Sequence, residues 1–356
     1  MNKKTIITVT GIRPDFIRMS ELFKRLDEDK DINHILIHTG QHYDNLLSSI
    51  FFKDLNIREP DYNLNIGSPG KKHYYQQADL GPKIIDIIEK NNIKPDIIFF
   101  LGDSNSVLAS VPLKKEGYKI GHIEAGMRSY DDRMLEEINR KVCDHVSDIL
   151  FVYHDNYKQN ALREGISEDK IYVVGNTIVE PLRKLADLNT FKSNNRIILD
   201  IHRPENFKYK DRMAKILDYA NFCAQKFQIP VEMLSFHRTI EAIEDYNLNL
   251  DEIKLIPLMG YRDFIKAQQQ CKFIISDSGT AQEEPALLGI PVIIPRDFAE
   301  RPESIENDCS FMLKLETQNY KTTSIDWINS NPILNINWLG DGNTSYKILH
   351  IIKQRI

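Results

Sequence analysis

Short runs of β-branched and other apolar residues alternate with longer amphipathic stretches along most of this chain, and this alternation constrains the fold most strongly. The apolar runs of the first half, which we predict to be strands, are Thr5–Thr10, His34–His38, Asp96–Leu101, Lys119–Ile123 and Ile149–Val152. Between the first two runs, apolar side chains recur at helical spacing; they are Phe16, Ile17, Met19, Leu22, Phe23 and Leu26. Strand, helix and strand in succession indicate a parallel sheet covered by helices on both faces.

The alternation starts again in the second half of the chain. One more strand, Ile171–Val174, is predicted at the end of the first half. The strands predicted in the second half are Arg196–Ile201, Val231–Ser235, Ile253–Ile256, Phe273–Ser276 and Pro291–Pro295. A polar stretch, Pro181–Asn195, separates the two series, and 356 residues exceed what one hydrophobic core usually serves. We therefore predict two doubly wound α/β domains, over residues 1–178 and 179–342, followed by a helix over Asn343–Ile356.

The composition is that of an ordinary globular protein, with 42% hydrophobic and 27% charged residues and a net charge of -5. This charge balance, and the lack of an apolar run of ~20 residues, point to neither a nucleic-acid nor a membrane partner. The opening segment is too short and too strand-like for a signal peptide. Four widely spaced cysteines indicate reduced thiols in a cytoplasmic protein without a metal site; they are Cys143, Cys223, Cys271 and Cys309.

Polar clusters follow the predicted strands, and ligands of open parallel sheets bind at that edge. The first cluster is Gly11–Arg18, in which Pro14 opens the predicted helix. The free amide groups at the start of this helix, together with Arg13, form a candidate anion site. An ordinary turn with a surface arginine explains the same residues equally well.

Carboxylates follow two more of the predicted strands. Asp103 is a candidate acid or base, and it would serve equally well as a cap for the next helix. Glu124 has no such structural explanation. Glu136 lies on the helix predicted to begin near Met134. Two carboxylates whose surroundings separate their pKa values can act as an acid and a base on one substrate.

The same helix carries an apolar pattern that predicts its buried face. The residues of this predicted face are Leu135, Ile138, Val142, Val146 and Ile149. Glu136, Asn139 and Arg140 lie on another face. A solvent-exposed face with one Glu–Arg pair would account for Glu136 and Arg140.

The second half of the chain carries candidate phosphate ligands. His202 could donate to a phosphate or titrate near neutrality, or it could belong to a simple capped turn. The segment Ser276–Ala286 combines a strand end, small hydroxyl residues, a glycine and a helix start, which is the geometry of a phosphate cradle. Glu284 could hold a ribose diol, and two further charged segments, Arg296–Asp297 and Glu300–Glu303, follow the next strand.

Several common catalytic motifs are missing from the sequence. It has no Gly-x-Gly-x-x-Gly, no Walker loop, no Gly-x-Ser-x-Gly and no His-Glu-x-x-His. A dehydrogenase, a P-loop enzyme, an α/β-hydrolase and a zinc peptidase are therefore not indicated. Any chemistry would depend on carboxylates, one histidine and arginines.

Seven motifs occur in one order across both predicted domains. They are Gly-Ile-Arg-Pro-Asp, Gly-Asp-Ser-Asn-Ser, His-Ile-Glu-Ala-Gly-Met-Arg, Glu-Glu-Ile-Asn-Arg, His-Arg-Pro-Glu-Asn, Asp-Ser-Gly-Thr-Ala-Gln-Glu-Glu and Glu-Arg-Pro-Glu. Each is weak alone, but their order resembles that of the non-hydrolysing UDP-N-acetylglucosamine 2-epimerase family. The resemblance extends from residue 6 to about residue 305, with a matching C-terminal helix.

The resemblance implies a GT-B architecture, in which two Rossmann-like domains hold a nucleotide-sugar in the cleft between them and the last helix returns to the first domain. It implies acid, base and charge-stabilising roles for Asp103, Glu124, Glu136 and His202. The residues that would bind the UDP-sugar are Arg13, Arg18, Arg128, His202, Ser278, Gly279, Thr280, Glu284 and Arg301. A homodimer, no cofactor and a product destined for surface polysaccharide are also implied.

The implied reaction has two stages and moves no hydride. A carboxylate takes the proton from C2 while UDP leaves from C1, which gives a bound glycal. UDP then adds back, and a proton reaches the opposite face of C2. Arg13 and His202 would stabilise the charge of the departing diphosphate, and proton transfer at either face requires more than one acid or base.

The sequence departs from the family pattern at several positions. Arg18 replaces a lysine of the first helix, and Thr280 replaces a second glycine of the phosphate loop. Three residues match a second UDP-N-acetylglucosamine site of some members; they are Gln41, His42 and His237. Alternatives are an epimerase of a 6-deoxy or diacetamido-uronic UDP-sugar, a hydrolysing epimerase, a GT-B glycosyltransferase and a binding protein without activity.

Overall fold

Two compact units make up the chain in a computed structural model that describes residues 3–40, 52, 55–67, 73–131, 134–186 and 193–356. Unit 1 comprises Met1–Pro181 together with Leu339–Ile356, and unit 2 comprises Leu182–Trp338. The chain therefore leaves unit 1 after Pro181 and returns to it at Leu339. Among the described residues, no helix is long and apolar enough to cross a membrane.

Unit 1 is built on a seven-stranded parallel sheet with the order β3-β2-β1-β4-β5-β6-β7. Its strands are β1 Lys4–Thr10, β2 Ile32–His38, β3 Tyr62–Asn63, β4 Ile97–Leu101, β5 Ile120–Ile123, β6 Ile149–Val152 and β7 Ile171–Val173. The strand order reverses between β1 and β4, which pair in parallel. In a doubly wound sheet this reversal opens a crevice beyond the carboxyl ends of the two strands.

Helices connect these strands and cover the sheet. Those of unit 1 are α1 Arg13–Glu28, α2 His73–Lys90, α3 Ser110–Lys115, α4 Leu135–Val146, α5 Asp155–Arg163 and α14 Thr344–Arg355. The helix α6, Val179–Leu185, spans the boundary between the units. The strand β4 is buried on both faces, so its sequence reads as a continuous apolar run, and β1 is buried from Ile6 onwards.

Unit 2 repeats the arrangement with a six-stranded parallel sheet of order β10-β9-β8-β11-β12-β13. Its strands are β8 Arg196–Asp200, β9 Val231–Leu234, β10 Ile253–Ile256, β11 Cys271–Ser276, β12 Val292–Ile294 and β13 Ser310–Met312. Its helices are α7 Pro204–Phe207, α8 Lys210–Phe227, α9 His237–Asp245, α10 Tyr261–Gln269, α11 Glu284–Leu287, α12 Pro302–Glu306 and α13 Tyr320–Asn329. The reversal here lies between β8 and β11.

The prediction of two doubly wound α/β domains is confirmed, because both sheets are parallel and both reverse their strand order. The predicted strands match the observed ones to within two residues at each end. Sequence periodicity missed β3 and β13, which have only two and three residues. The equally short β7 and β12 were predicted because their residues are mostly apolar, whereas β3 is Tyr-Asn and β13 is Ser-Phe-Met.

The last helix belongs to unit 1. Helix α14 packs against α1, with Ile348 and Ile352 buried. Its first turn is capped by Glu180, whose carboxylate accepts the Ser345 backbone N–H at 2.8 Å and the Ser345 hydroxyl at 2.7 Å. A carboxylate at a helix N-terminus satisfies free amides and favours the helix dipole.

Helix α4 corrects the sequence prediction about its faces. Leu135 and Ile138, expected to be buried, are 67% and 57% exposed. The buried residues are Glu137, Asn139, Arg140, Cys143 and Asp144. The solvent-exposed face considered for Glu136 and Arg140 is wrong as well, because Arg140 is 1% exposed. Arg140 pairs with the buried Glu137. Helix α4 covers the polar loops that follow β4 and β5, so polar side chains face inward to bond with them.

Candidate active site

The loops that follow β1, β4 and β5 bring three carboxylates to the carboxyl edge of the sheet in unit 1. Asp15, in the first turn of α1, is buried, and its Oδ2 accepts the backbone N–H groups of Gly11 at 2.7 Å and Ile12 at 3.1 Å. Burial raises its pKa to about 7 against the lowering effect of these two bonds, and the negative charges of Asp103 and Glu124 add to the rise. Asp15, Asp103 and Glu124 therefore form one electrostatically coupled group.

Glu124 occupies an unusual backbone conformation directly after β5. Its φ is 67°, in the left-handed region, which costs a residue other than glycine about 1–2 kcal/mol. Its carboxylate is buried and forms an ion pair with Arg18, with Oε2 and Nη1 2.9 Å apart. Arg18 also donates to the side-chain oxygen of Asn176 at 3.3 Å. This conformation aims the carboxylate away from the course of the strand and towards α1.

Asp103 is held by helix α4. Arg140 donates to its Oδ2 from Nε at 3.0 Å and from Nη2 at 2.5 Å. The third nitrogen of that guanidinium pairs with Glu137 at 3.0 Å, and Asn139 donates to the Asp103 carbonyl at 2.8 Å. Asp103 keeps 22% of its side chain exposed, whereas Arg140 keeps 1%. Arg140 thus fixes the Asp103 carboxylate on one side, and the other side of the carboxylate remains exposed.

Glu136 and Arg128 differ in how their side chains are placed. Glu136 lies in the first turn of α4, one helical turn before Arg140, and is half-buried. Arg128 is buried; it pairs with Asp144 at 2.7 Å and with Glu164 at 2.6 Å, and it donates to its neighbour's carbonyl at 2.7 Å. A substrate contact by Arg128 would require some of these bonds to be exchanged.

The predicted phosphate loop of unit 2 follows β11. The Ser276 hydroxyl donates to Asp200 at 2.8 Å and accepts the Ser278 backbone N–H at 3.0 Å. The hydroxyl groups of Ser278 and Thr280 lie 3.0 Å apart. A side chain at Gly279 would meet Arg301 Nη1 at 2.8 Å, so this arginine lies directly against the loop. Small residues leave the loop backbone accessible to an anion, with a positive charge beside it.

Buried ion pairs support this loop. Arg301 pairs with Glu283 at 2.7 Å and with Glu300 at 3.3 Å. Glu300 also accepts from the fully buried Arg296 at 2.8 Å, and Arg296 pairs with Glu205 at 2.9 Å. Taking such charges from water is costly unless each is paired, so the network fixes its members in one arrangement.

His202 lies between two acidic side chains at the edge of the same sheet. Its Nδ1 is 3.0 Å from Asp200 and 3.5 Å from Asp277, and its ring lies 4.9 Å from that of Phe236. Burial would lower the pKa of His202, but the two carboxylates raise it above its ordinary value. Burial raises the pKa of Asp277. Since Nδ1 faces the carboxylates, Nε2 is directed to the other side of the ring.

The remaining predicted site residues are placed differently. Glu284 is buried and accepts the Tyr261 hydroxyl at 3.0 Å. The His237 side chain is 82% exposed and pairs with Glu241 at 3.0 Å. Gln41 and His42 lie outside the described residues, as does the side chain of Arg13.

Sequence reasoning singled out the acids but missed the groups that hold them. Asp15, Glu137, Asp144, Asp200 and Glu283 all make buried polar contacts at the two sites. The spacing of Glu137 and Arg140 by three residues on one helix was a readable signal of pairing. Asp15 also bonds locally, to Gly11 and Ile12. The contacts of Asp144, Asp200 and Glu283 join residues far apart in sequence, so no local pattern revealed them.

We expect Asp15→Asn to change how stability depends on pH. Because the pKa of Asp15 is about 7 in the folded chain, its stabilising contribution is complete below about pH 4 and is lost as the pH rises through 7. The free energy of unfolding of the wild type, relative to Asp15→Asn, should fall by at most about 4 kcal/mol between pH 4 and 8. The variant retains both amide bonds, since both reach one oxygen. Urea unfolding of both proteins between about pH 4 and 8 tests this prediction. If the free energy of unfolding changes with pH by the same amount in both, the prediction is wrong.

Comparisons with known proteins show which proteins this chain is similar to. A family model described as UDP-N-acetylglucosamine 2-epimerase matches residues 24–353. A UDP-N-acetylglucosamine 2-epimerase of Methanococcus maripaludis is 35% identical over 97% of both chains. One of Methanocaldococcus jannaschii is 37% identical over 84% of this chain and 85% of its own. A UDP-2,3-diacetamido-2,3-dideoxy-D-glucuronate 2-epimerase of Pseudomonas aeruginosa is 35% identical over the same shares.

Solved structures agree with these matches. The M. jannaschii UDP-GlcNAc 2-epimerase in complex with UDP-GlcNAc and UDP superposes with a TM-score of 0.88 at 31% identity, covering 98% of this chain and 99% of its own. The Neisseria meningitidis UDP-GlcNAc 2-epimerase bound to UDP-GlcNAc gives 0.87 at 25% identity, covering 99% and 100%. A glycosyltransferase from Rickettsia africae, at 20% identity and a TM-score of 0.56, shows a likeness of fold alone.

Proposed function

We propose, from the premise that this chain belongs to the UDP-N-acetylglucosamine 2-epimerase family, that it interconverts UDP-N-acetylglucosamine and UDP-N-acetylmannosamine without releasing the sugar. The observation that carries the proposal is that the ends of β1, β4 and β5 place Asp15, Asp103 and Glu124 at the carboxyl edge of the sheet in unit 1, where the strand order reverses. Acid and base chemistry at C2 needs carboxylates held at fixed positions, and two of these three are held by arginines.

The first stage is an elimination at the sugar. One carboxylate of Asp103, Glu124 and Glu136 accepts the C2 proton, the C2–H electron pair forms the C1–C2 double bond, and the C1–O bond breaks towards UDP. Arg18, paired with Glu124 at 2.9 Å, holds that carboxylate in one orientation. In the second stage UDP adds back to C1 while an acid delivers a proton to the opposite face of C2. The carboxylate that took the C2 proton then loses it to solvent, and the acid that delivered a proton regains one. The enzyme thereby returns to its starting protonation state.

In this proposal, residues of unit 2 bind the diphosphate of the substrate. The loop Ser278–Thr280 offers backbone N–H groups and hydroxyls, with Arg301 against it. His202, whose pKa Asp200 and Asp277 raise against the effect of burial, supplies a donor for the departing phosphate. We propose that Arg13 adds a second positive charge at the diphosphate and that Glu284 holds the ribose.

A second candidate substrate has a specific observation behind it. The P. aeruginosa UDP-2,3-diacetamido-2,3-dideoxy-D-glucuronate 2-epimerase is 35% identical over 84% of this chain, and the M. maripaludis UDP-N-acetylglucosamine 2-epimerase has the same identity over 97%. A uronate carries one more negative charge than N-acetylglucosamine. Discrimination would therefore depend on a cation near C5 of the sugar.

One experiment separates these functions. The chain is incubated in deuterated water with each UDP-sugar, and the products are followed by NMR. We expect UDP-N-acetylglucosamine and UDP-N-acetylmannosamine, both intact and both with deuterium at C2. Free N-acetylmannosamine with UDP would indicate a hydrolysing enzyme, and turnover confined to the diacetamido uronate would replace the substrate. If neither UDP-sugar is changed, the proposed function is wrong.

We also propose that the chain acts as a cytoplasmic homodimer that supplies UDP-N-acetylmannosamine for a surface polysaccharide. The family resemblance supports the dimer and the destination of the product. The four cysteines, all free and buried, support the cytoplasmic location. Light scattering at micromolar concentration should give twice the chain mass of 41.4 kDa.

A further inference from the structure

His122, near the end of β5, is fully buried and bonded through both of its ring nitrogens. Nδ1 lies 2.6 Å from Asp144 Oδ1, and Nε2 lies 2.8 Å from the carbonyl oxygen of Gly102. The mechanism proposed above assigns no role to this histidine or to Asp144. A buried polar pair of this kind specifies geometry when all its members are satisfied.

The two partners determine the charge of the ring. A carbonyl oxygen can only accept a hydrogen bond, so Nε2 must carry a proton. Asp144 also accepts from Gly126 N–H at 3.0 Å and pairs with Arg128 at 2.7 Å, so it is a carboxylate and Nδ1 must carry a proton as well. A neutral imidazole has one N–H and cannot make both bonds. The structure therefore contains an imidazolium at His122.

The contacts agree with that charge. Burial would lower the pKa of His122, but the neighbouring Cys143 and Asp144 raise it well above its ordinary value. Among its neighbours, Asp144 has a lowered pKa despite its burial, because His122 and Arg128 stabilise its charged form. Coupled charges in a dry environment hold each other in place more strongly than neutral groups would.

The bonded atoms belong to the two loops that carry the proposed acids. Gly102 directly precedes Asp103, and Gly126 lies two residues after Glu124. Three residues of these loops have left-handed backbones, with φ of 67° at Gly102, 67° at Glu124 and 74° at Gly126. The two glycines adopt this conformation without strain, whereas at Glu124 it persists only where the surroundings fix it. His122 bonds to one loop, and through Asp144 it is connected to the other.

We propose that His122 and Asp144 form a charged positioning pair that fixes the Asp103 loop and the Glu124 loop relative to each other. The pair touches no substrate and acts through these two carboxylates. This inference rests on the proposed function for its kinetic consequence, whereas the charge of the ring can be measured without any substrate.

The chain offers a matched control in His34. This histidine has Nδ1 2.6 Å from Asp27 and Nε2 2.8 Å from the Thr8 hydroxyl, and its side chain is 1% exposed. It lies near the start of β2, at the edge of the sheet opposite to the candidate site. His34→Gln therefore removes a comparable buried histidine without disturbing the two loops.

The kinetic test compares His122→Gln, His122→Asn and His34→Gln. Gln places an amide near the Nε2 position and Asn places one near Nδ1, so each keeps one of the two contacts. Because an error of about 1 Å in a catalytic group can cost 10²-fold in rate, we expect kcat to fall about 10²-fold in both His122 variants. KM should change less than threefold, and His34→Gln should remain within threefold of wild type. A kcat near wild type in either folded His122 variant, or an equal loss in His34→Gln, overturns the proposal.

The spectroscopic test uses 15N-labelled histidine in the full chain. We expect one ring with two protonated nitrogens that persists to pH 8.5, disappears in His122→Gln and remains in His34→Gln. A neutral His122 at that pH overturns the charged pair whatever the kinetics show. If the wild type turns over no UDP-sugar, the proposed function fails while this measurement still decides the charge of the pair.

Discussion

Glu124→Gln should lower kcat about 10²–10⁴-fold, the range by which a positioned acid or base accelerates proton transfer. The amide is close in size to the carboxylate and can still accept from Arg18, whose Nη1 lies 2.9 Å away. It cannot take a proton from C2, however. The variant should bind UDP as the wild type does, melt within a few degrees of it and incorporate deuterium at C2 correspondingly slowly.

A matched carboxylate separates this effect from a general loss of charge. Glu21 on α1 is also buried, and it pairs with Lys24 at 2.9 Å. Glu21→Gln should keep kcat within threefold. We expect Glu136→Gln to behave like Glu124→Gln, since two groups share the two faces of C2. If Glu124→Gln and Glu136→Gln both turn over at nearly the normal rate, the assignment of acid and base residues is wrong.

Gly126→Ala should destabilise the protein by about 3 kcal/mol or more. At this position φ is 74°, and an added Cβ would lie 2.3 Å from the carbonyl oxygen of Tyr157 in α5. The obstacle is backbone, so it cannot move aside as a flexible side chain could. The melting temperature should drop by roughly 6–12 °C. Because Gly126 N–H also donates to Asp144 at 3.0 Å, kcat should fall in the fraction that remains folded.

Gly165 provides the comparison for that substitution. It has φ of 86°, and an added Cβ would meet no atom within 4 Å. Gly165→Ala should therefore cost only the backbone term, about 1–2 kcal/mol. Equal melting temperatures for the two variants would show that the close approach to Tyr157 is relieved at little cost.

Much of the fold was readable because its signals are local. The strand β4, Ile97–Leu101, is a continuous apolar run, and the spacing of apolar residues in α1 is helical. Such patterns predicted the ends of all strands except β3 and β13 to within two residues. The face of α4 was not readable, because the usual preference of apolar residues for the interior is overridden there. Arg140 and Asp144 are buried to bond Asp103 and Gly126, at the expense of Leu135 and Ile138.

The candidate site was partly readable from sequence. Asp103, Glu124 and His202 follow strands, and the topology of parallel sheets places such residues at one edge. Their partners were not readable. Arg18 pairs with Glu124 more than a hundred positions away, and no spacing rule links such residues. Sequence patterns identify which groups reach an edge, whereas tertiary packing decides which of them are held together.

The discontinuity of unit 1 has a consequence for biosynthesis. Helix α14 covers α1 and is capped by Glu180, so unit 1 lacks part of its own surface until residues 344–355 have left the ribosome. Unit 2, Leu182–Trp338, is continuous. At roughly 5–20 residues per second its translation takes on the order of ten seconds. During that interval the surface of α1 against which α14 later packs remains uncovered. The nascent chain thus carries unit 1 unfinished while the intervening unit 2 is already complete.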